Sequence, residues 1–187
     1  MRKLLLTITI SILTFSVNAD SRFGDMTEMR DERMRGKEGK WVRPHPGPFI
    51  WNGIEKTQGV FSWEQTDKYV VYAQEHNQKT LATIWPHANW EQKSCKRRKA
   101  SSPFGRKFTK YLSKPCSMDN YKIFLTKLVD RYDGDGKNDM PGLTKPIKHW
   151  QIMNEPEFKM FFKGKEDEFV EIFNFSSELI RSKQQDA

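Results

Sequence analysis

"KPIKHWQIMNEPEF", residues 145–158, decides how this chain is read. The run up to Met153 has the composition of a short strand, and it passes straight into Asn154-Glu155-Pro156. Working outward, "KWVRPHPG" is a second strand, stopped by Pro44-His45-Pro46-Gly47. "KTLATIWPHANW" is a third, with Leu81, Thr83 and Trp85 on one face and Pro86 ending it. Between the strands lie amphipathic stretches. "SWEQTDKYVVYAQEHN" places Trp63, Tyr69, Val70 and Ala73 at helical spacing, with Asn77 near its end. "SMDNYKIFLTKLVDRY" predicts a helix capped by Ser117, with Ile123, Phe124, Lys127 and Leu128 as stripe and flank. "KEDEFVEIFNFSSELIRS" predicts another. At the N-terminal end "SRFG" is expected as a first strand and "DMTEMRDERMRGKEG" as a first helix. Such alternation indicates βα units around a parallel sheet, an α/β fold.

At 187 residues, with 30% charged side chains, the chain can bury one sizeable core and does not read as an integral membrane protein. Its first residues have the layout of a secretory signal peptide. A short basic start is followed by an apolar run from Leu4 to Val17 and small residues before Asp20. That run is shorter than the roughly 20 residues a spanning helix needs, although an uncleaved anchor is the alternative. Residues 1–19 are therefore read as a leader and 20–187 as the domain, secreted or periplasmic, with no membrane contact after cleavage.

The net charge of +8 is local. Nine basic residues and no acidic ones lie between Lys93 and Lys114; without those nine the rest of the chain stands at −1. A solvated basic loop is expected there in preference to a nucleic-acid footprint. Cys95 and Cys116 bracket this loop. In an exported chain they are expected to form a disulfide, with two free thiols as the alternative. A zinc site is not expected at this spacing.

In parallel βα architecture, functional residues gather where strands end at their C-terminal side. Those ends carry Arg43 with His45, Trp85 with His87, and Asn154 with Glu155. Any one of them has an ordinary structural explanation; Glu155, for instance, suits the start of a helix through the helix dipole. Together they suggest a site.

At these residues the chain resembles a known group. "WQIMNEP" is similar to the strand-four end of the retaining glycoside hydrolases of clan A, notably family 5 and the barrel domain of family 42. The stretch from Trp41 to Trp90 resembles their second and third βα units. The resemblance covers about residues 40–180 and implies a partial (β/α)8 TIM barrel, its first four βα units. It implies Glu155 as general acid/base in a sheltered position. Asn154 would hold the sugar 2-hydroxyl, Arg43 would orient the nucleophile, and His87 would bind a sugar hydroxyl. Trp51, Trp85 and Trp90 are candidates to stack on sugar faces, with core packing as the alternative for each. The reaction needs no cofactor, and the partner is a carbohydrate.

The departure from the pattern is length. A full barrel takes about 250 residues and eight strands, with the nucleophile on strand seven. The expectation is therefore a chain that lacks that strand, is inactive or nearly so alone, and has the C-terminal half of a barrel as a partner. Two other functions stay open: a non-catalytic carbohydrate-binding half-barrel, and a module whose basic loop binds acidic polymers. "YDGDGKNDMPG" also carries Asp133, Asp135 and Asp139 in partial likeness to a calcium loop. Without the EF-hand spacing it is expected to be a solvated turn.

Overall fold

A computed structural model of the protein describes residues 24–27, 40–95, 97, 99 and 109–187. The expected leader lies outside these, as do most of "SRFG" and the greater part of the expected first helix. Four strands form one sheet in sequence order: β1 (Gly24–Thr27), β2 (Trp41–Pro44), β3 (Lys79–Ile84) and β4 (His149–Ile152). Every pairing is parallel, with Gly24 opposite Trp41, Trp41 opposite Lys79, and Leu81 opposite His149. The sequence reading put the first helix at Asp25; instead "GDMT" is strand. Parallel pairing with β2 overrides local propensity there, and Gly24 permits it, because a Cβ at that position would collide with Trp41.

The helices in chain order are α1 (Trp51–Ile54), α2 (Glu64–Glu75), α3 (Asn89–Ser94), α4 (Met118–Tyr132) and α5 (Glu166–Lys183). The short α1 and α3 were not anticipated. They sit where the chain leaves β2 and β3, and α1 is drawn in by Trp51 N–H donating to the Trp85 carbonyl at 3.0 Å. Helix α2 ends at Glu75 with His76 as its C-cap, and Asn77 takes a left-handed φ of 55°, which Asn tolerates better than most residues. Helix α4 starts as the sequence indicated, with Ser117 Oγ accepting from Asn120 N at 3.2 Å. Its stripe is shifted from the expected one. Tyr121, Phe124, Leu125, Leu128, Val129 and Tyr132 are buried, whereas Ile123 is 52% exposed. None of the described helices is long and apolar enough to cross a membrane.

Alternation along the strands gives the sheet two unlike faces. Val42, Ala82, Ile84 and Ile152 are buried in the main hydrophobic cluster with α2, α4 and α5. The opposite face carries Trp41, Arg43, Leu81, Thr83, His149 and Gln151. Of these only Thr83 is fully buried. A purely parallel sheet is normally covered on both sides. Here, among the described residues, the second face is only half-buried, and it mixes Trp41 and Leu81 with Arg43, Thr83, His149 and Gln151.

Cys95 and Cys116 are joined, with their Cα atoms 5.8 Å apart, and the bond ties the end of α3 to the start of α4. Glu91 sits beneath it, accepting from Ser117 N at 2.6 Å; burial raises its pKa above the usual carboxylate range. Closing a loop of this length is worth about 3 kcal/mol in the chain-entropy picture. The Cys95→Ser/Cys116→Ser double variant is expected to unfold at lower urea by that amount. An unchanged midpoint would mean that the described anchors hold the segment without the bond.

Candidate functional site

Arg43 stands at the end of β2 and reaches across β3 to β4. Its Nε donates to Gln151 Oε1 at 2.8 Å and its Nη2 to Asn154 Oδ1 at 2.5 Å. Thr83 Oγ1 donates to the same Gln151 oxygen at 3.1 Å, and Gln151 Nε2 lies 3.4 Å from Asn154 Oδ1. One cation, two amides and a hydroxyl thus form a single part-buried network, charge-assisted at Arg43. Gln151 and Thr83 were missed as site residues. The signal was available, since period-two alternation sets Gln151 opposite the buried Ile152.

Next to this network the backbone leaves its ordinary range. Met153 has φ 61° and Glu155 φ 46°, both left-handed without being glycine. Such residues cost of order 1–2 kcal/mol each and persist only where the surroundings impose them, often at functional sites. The two twists turn the chain away from β4 after Ile152. Glu155 is exposed there and not sheltered as expected, and its carbonyl accepts from Phe158 N at 3.0 Å. Among the described residues, none hydrogen-bonds its carboxylate.

The other expected site residues divide into two groups. Trp85 and His87 lie at the end of β3, both 0% exposed. Phe161, from the loop between β4 and α5, packs 5.7 Å from Trp85, and Phe162 stacks on His87 at 6.4 Å. Trp85 Nε1 donates to the Pro46 carbonyl at 2.8 Å. His87 Nδ1 is 3.2 Å from the Ser113 carbonyl; burial lowers its pKa to about 4, against the opposing pull of the Ser113 and Phe161 carbonyls. These two residues are therefore at the right strand end but roofed over.

Trp51 and Trp90 belong to a different layer: Trp51, expected as a sugar platform, is sealed in the core, and Trp90 is half-buried beside it. Trp51 is 0% exposed, stacked on Phe124 at 5.2 Å and edge-on to Trp90 at 5.7 Å. Its Nε1 donates to Glu55 Oε2 at 2.6 Å, and Trp90 Nε1 donates to the Glu55 carbonyl at 2.9 Å. Trp51 is drawn under α4, where a large apolar surface meets the Glu55 acceptor, and the half-buried Trp90 packs edge-on against it.

Asp133, Asp135 and Asp139 do converge, with one oxygen from each within 4.8 Å of the others. Each also accepts a backbone N–H: Asp133 from Asp135, Asp135 from Lys137, and Asp139 from Gly134 and Gly136. Burial, then the neighbouring Asp135 and Asp139 charges, raises the pKa of Asp133. The turn is closed by its own carboxylates.

Comparison with solved structures fits this architecture. A β-xylosidase from Caulobacter crescentus superposes with a TM-score of 0.59 at 14% identity over 79% of this chain. A glucosidase from Croceicoccus marinus gives 0.54 at 16% over 78%, and xylanase 10B from Thermotoga petrophila, in complex with xylobiose, 0.53 at 13% over 88%. The fold is glycosidase-like. The chain spans only 28%, 28% and 47% of the glucosidase, xylosidase and xylanase chains respectively. No family model and no curated protein matches the sequence.

Proposed function

We propose that the chain is part of a secreted glycoside hydrolase that cleaves O-glycosyl bonds of a poly- or oligosaccharide with retention. The observation that carries this reading is the Arg43–Gln151–Asn154 network, with Glu155 exposed beside it on a left-handed backbone. Carbohydrate-active neighbours of the same fold support it. In this reading Glu155 protonates the leaving oxygen and later takes a proton from water. Asn154, oriented by Arg43, has its amide N–H available for a sugar hydroxyl, because Oδ1 is the atom that Arg43 engages. His87, neutral at physiological pH, and Trp85 become sugar contacts once the Phe161–Phe162 roof lifts.

Retention needs a nucleophilic carboxylate about 5 Å from the acid/base. The resemblance puts it on a seventh strand, so we assign it to a companion half-barrel joined to or associated with these four strands. The purified 187-residue chain is then expected to bind oligosaccharide with little or no turnover. Asn154→Ala should abolish binding, read as lost perturbation of Asn154–Glu155 amide signals on titration with xylo- or gluco-oligosaccharides. With the companion strands supplied, Glu155→Gln should cut turnover of an unactivated substrate by about 10²–10⁴-fold. Turnover that survives this change, or a chain that binds no sugar, would end the proposal.

A further inference from the structure

The basic loop between α3 and α4 has no part in the network above, yet it is fastened to the same rim. Its described return limb, Thr109–Ser113, buries Thr109, Tyr111, Leu112 and Ser113 and exposes only Lys110. Asn89 Oδ1 accepts from Lys110 N at 2.7 Å and from Thr109 Oγ1 at 3.1 Å. Ser113 N donates to Gln92 Oε1 at 3.2 Å, and the Ser113 carbonyl faces His87. The Leu112 carbonyl accepts from Lys163 N at 2.6 Å, so the limb is joined to the loop that begins at Glu155. The disulfide holds both ends. Lys110 is thereby the exposed residue of a limb tied to Asn89 and to the loop between β4 and α5.

Charge then decides what such a limb can meet. Arg97 and Lys114 pair with Glu168 and Glu171. Among the described residues Lys93, Lys99 and Lys110 are exposed and make no ion pair. A loop serving only solubility would mix signs, as protein surfaces do. This one places nine cations and no anion between Lys93 and Lys114, in a chain whose remainder is nearly neutral. A concentrated run of one charge sign raises the local concentration of opposite charge.

We infer that Lys93, Lys99 and Lys110 recognise an anionic polysaccharide, so that the substrate chain at this rim carries carboxylates or sulfates. The word "substrate" rests on the glycosidase reading; the charge preference does not.

The test measures binding of the full chain to polygalacturonate, dextran sulfate, neutral xylan and a DNA duplex. Both anionic polysaccharides are expected to bind about tenfold more tightly than xylan, with affinity falling steeply between about 50 and 200 mM salt. Tighter polygalacturonate would identify the carboxylate form, tighter dextran sulfate the sulfated form. The triple variant Lys93→Gln/Lys99→Gln/Lys110→Gln, on exposed positions, should keep its melting curve and lose the preference. Equal affinity for xylan and polyanion, a preference unchanged in the triple variant, or DNA bound more tightly than either polysaccharide would each overturn the inference. An Asn154→Ala arm separates the two proposals: its effect on sugar capture bears on the glycosidase reading alone, and the charge preference is judged on the lysine variant.

Discussion

Taking the protein from pH 7 down to about pH 4 is expected to remove about 3 kcal/mol of stability through one side chain, His87. The ring is fully buried beneath Phe162, and burial lowers its pKa from 6.5 to about 4. The unfolded chain takes up a proton on this residue from pH 6.5 downward, while the folded chain resists until about 4. The contribution is therefore complete above 6.5 and is lost as pH falls through that window. Glu91 and Asp133 act in the opposite sense, because their pKa values are raised in the fold and protonation there favours it. The His87→Gln variant isolates the effect. Urea unfolding at pH 7 and pH 5 should show wild type losing about 2 kcal/mol more than the variant. Equal losses would show that the imidazole is not held neutral by the roof, and that His87 is already open to solvent.

Trp51→Ala is expected to cost about 3–5 kcal/mol, a large share of the roughly 5–15 kcal/mol that holds a domain of this size. The indole is packed among Phe124, Tyr121 and Trp90, with no exposed surface. Its removal leaves a cavity that those rings cannot fill. It also takes the N–H from Glu55, a carboxylate only 3% exposed, whose other oxygen accepts from Gly59 N at 2.7 Å. Trp51→Phe keeps most of the packing and removes only that donor, at an expected cost of about 1.5–3 kcal/mol. Chemical denaturation of the two variants separates the terms. If Trp51→Ala instead left stability within about 1 kcal/mol of wild type and abolished oligosaccharide binding, the indole would be a sugar platform after all.

The contrast between Trp51 and Arg43 shows what could be read from sequence. Arg43, Asn154 and Glu155 were singled out because each stands at the end of a strand pattern and strand ends in parallel βα folds share one rim; Arg43 and Asn154 do meet there. Trp51 comes only eight positions after Arg43, and sequence spacing could not say that α1 turns it under α4. Gln151 was passed over as a strand residue among others, yet it is the hinge of the network, accepting from both Arg43 and Thr83. The roof was not foreseen either. Phe161 and Phe162 lie in a loop, where no periodicity tells which neighbour a ring will cover.

By itself the sequence determined the α/β alternation, the positions of β2, β3 and β4, the Ser117 cap, the local nature of the positive charge, and which cysteines could meet. These depend on local pattern and chain proximity. Tertiary structure alone decided that Gly24 belongs to β1, that Arg43, Thr83, Gln151 and Asn154 join in one network, that Glu155 is exposed on a left-handed backbone, and that His87 is sealed. Those outcomes depend on pairing and packing between segments far apart in the chain, where side-chain size, backbone geometry and burial compete and no single stretch holds the result.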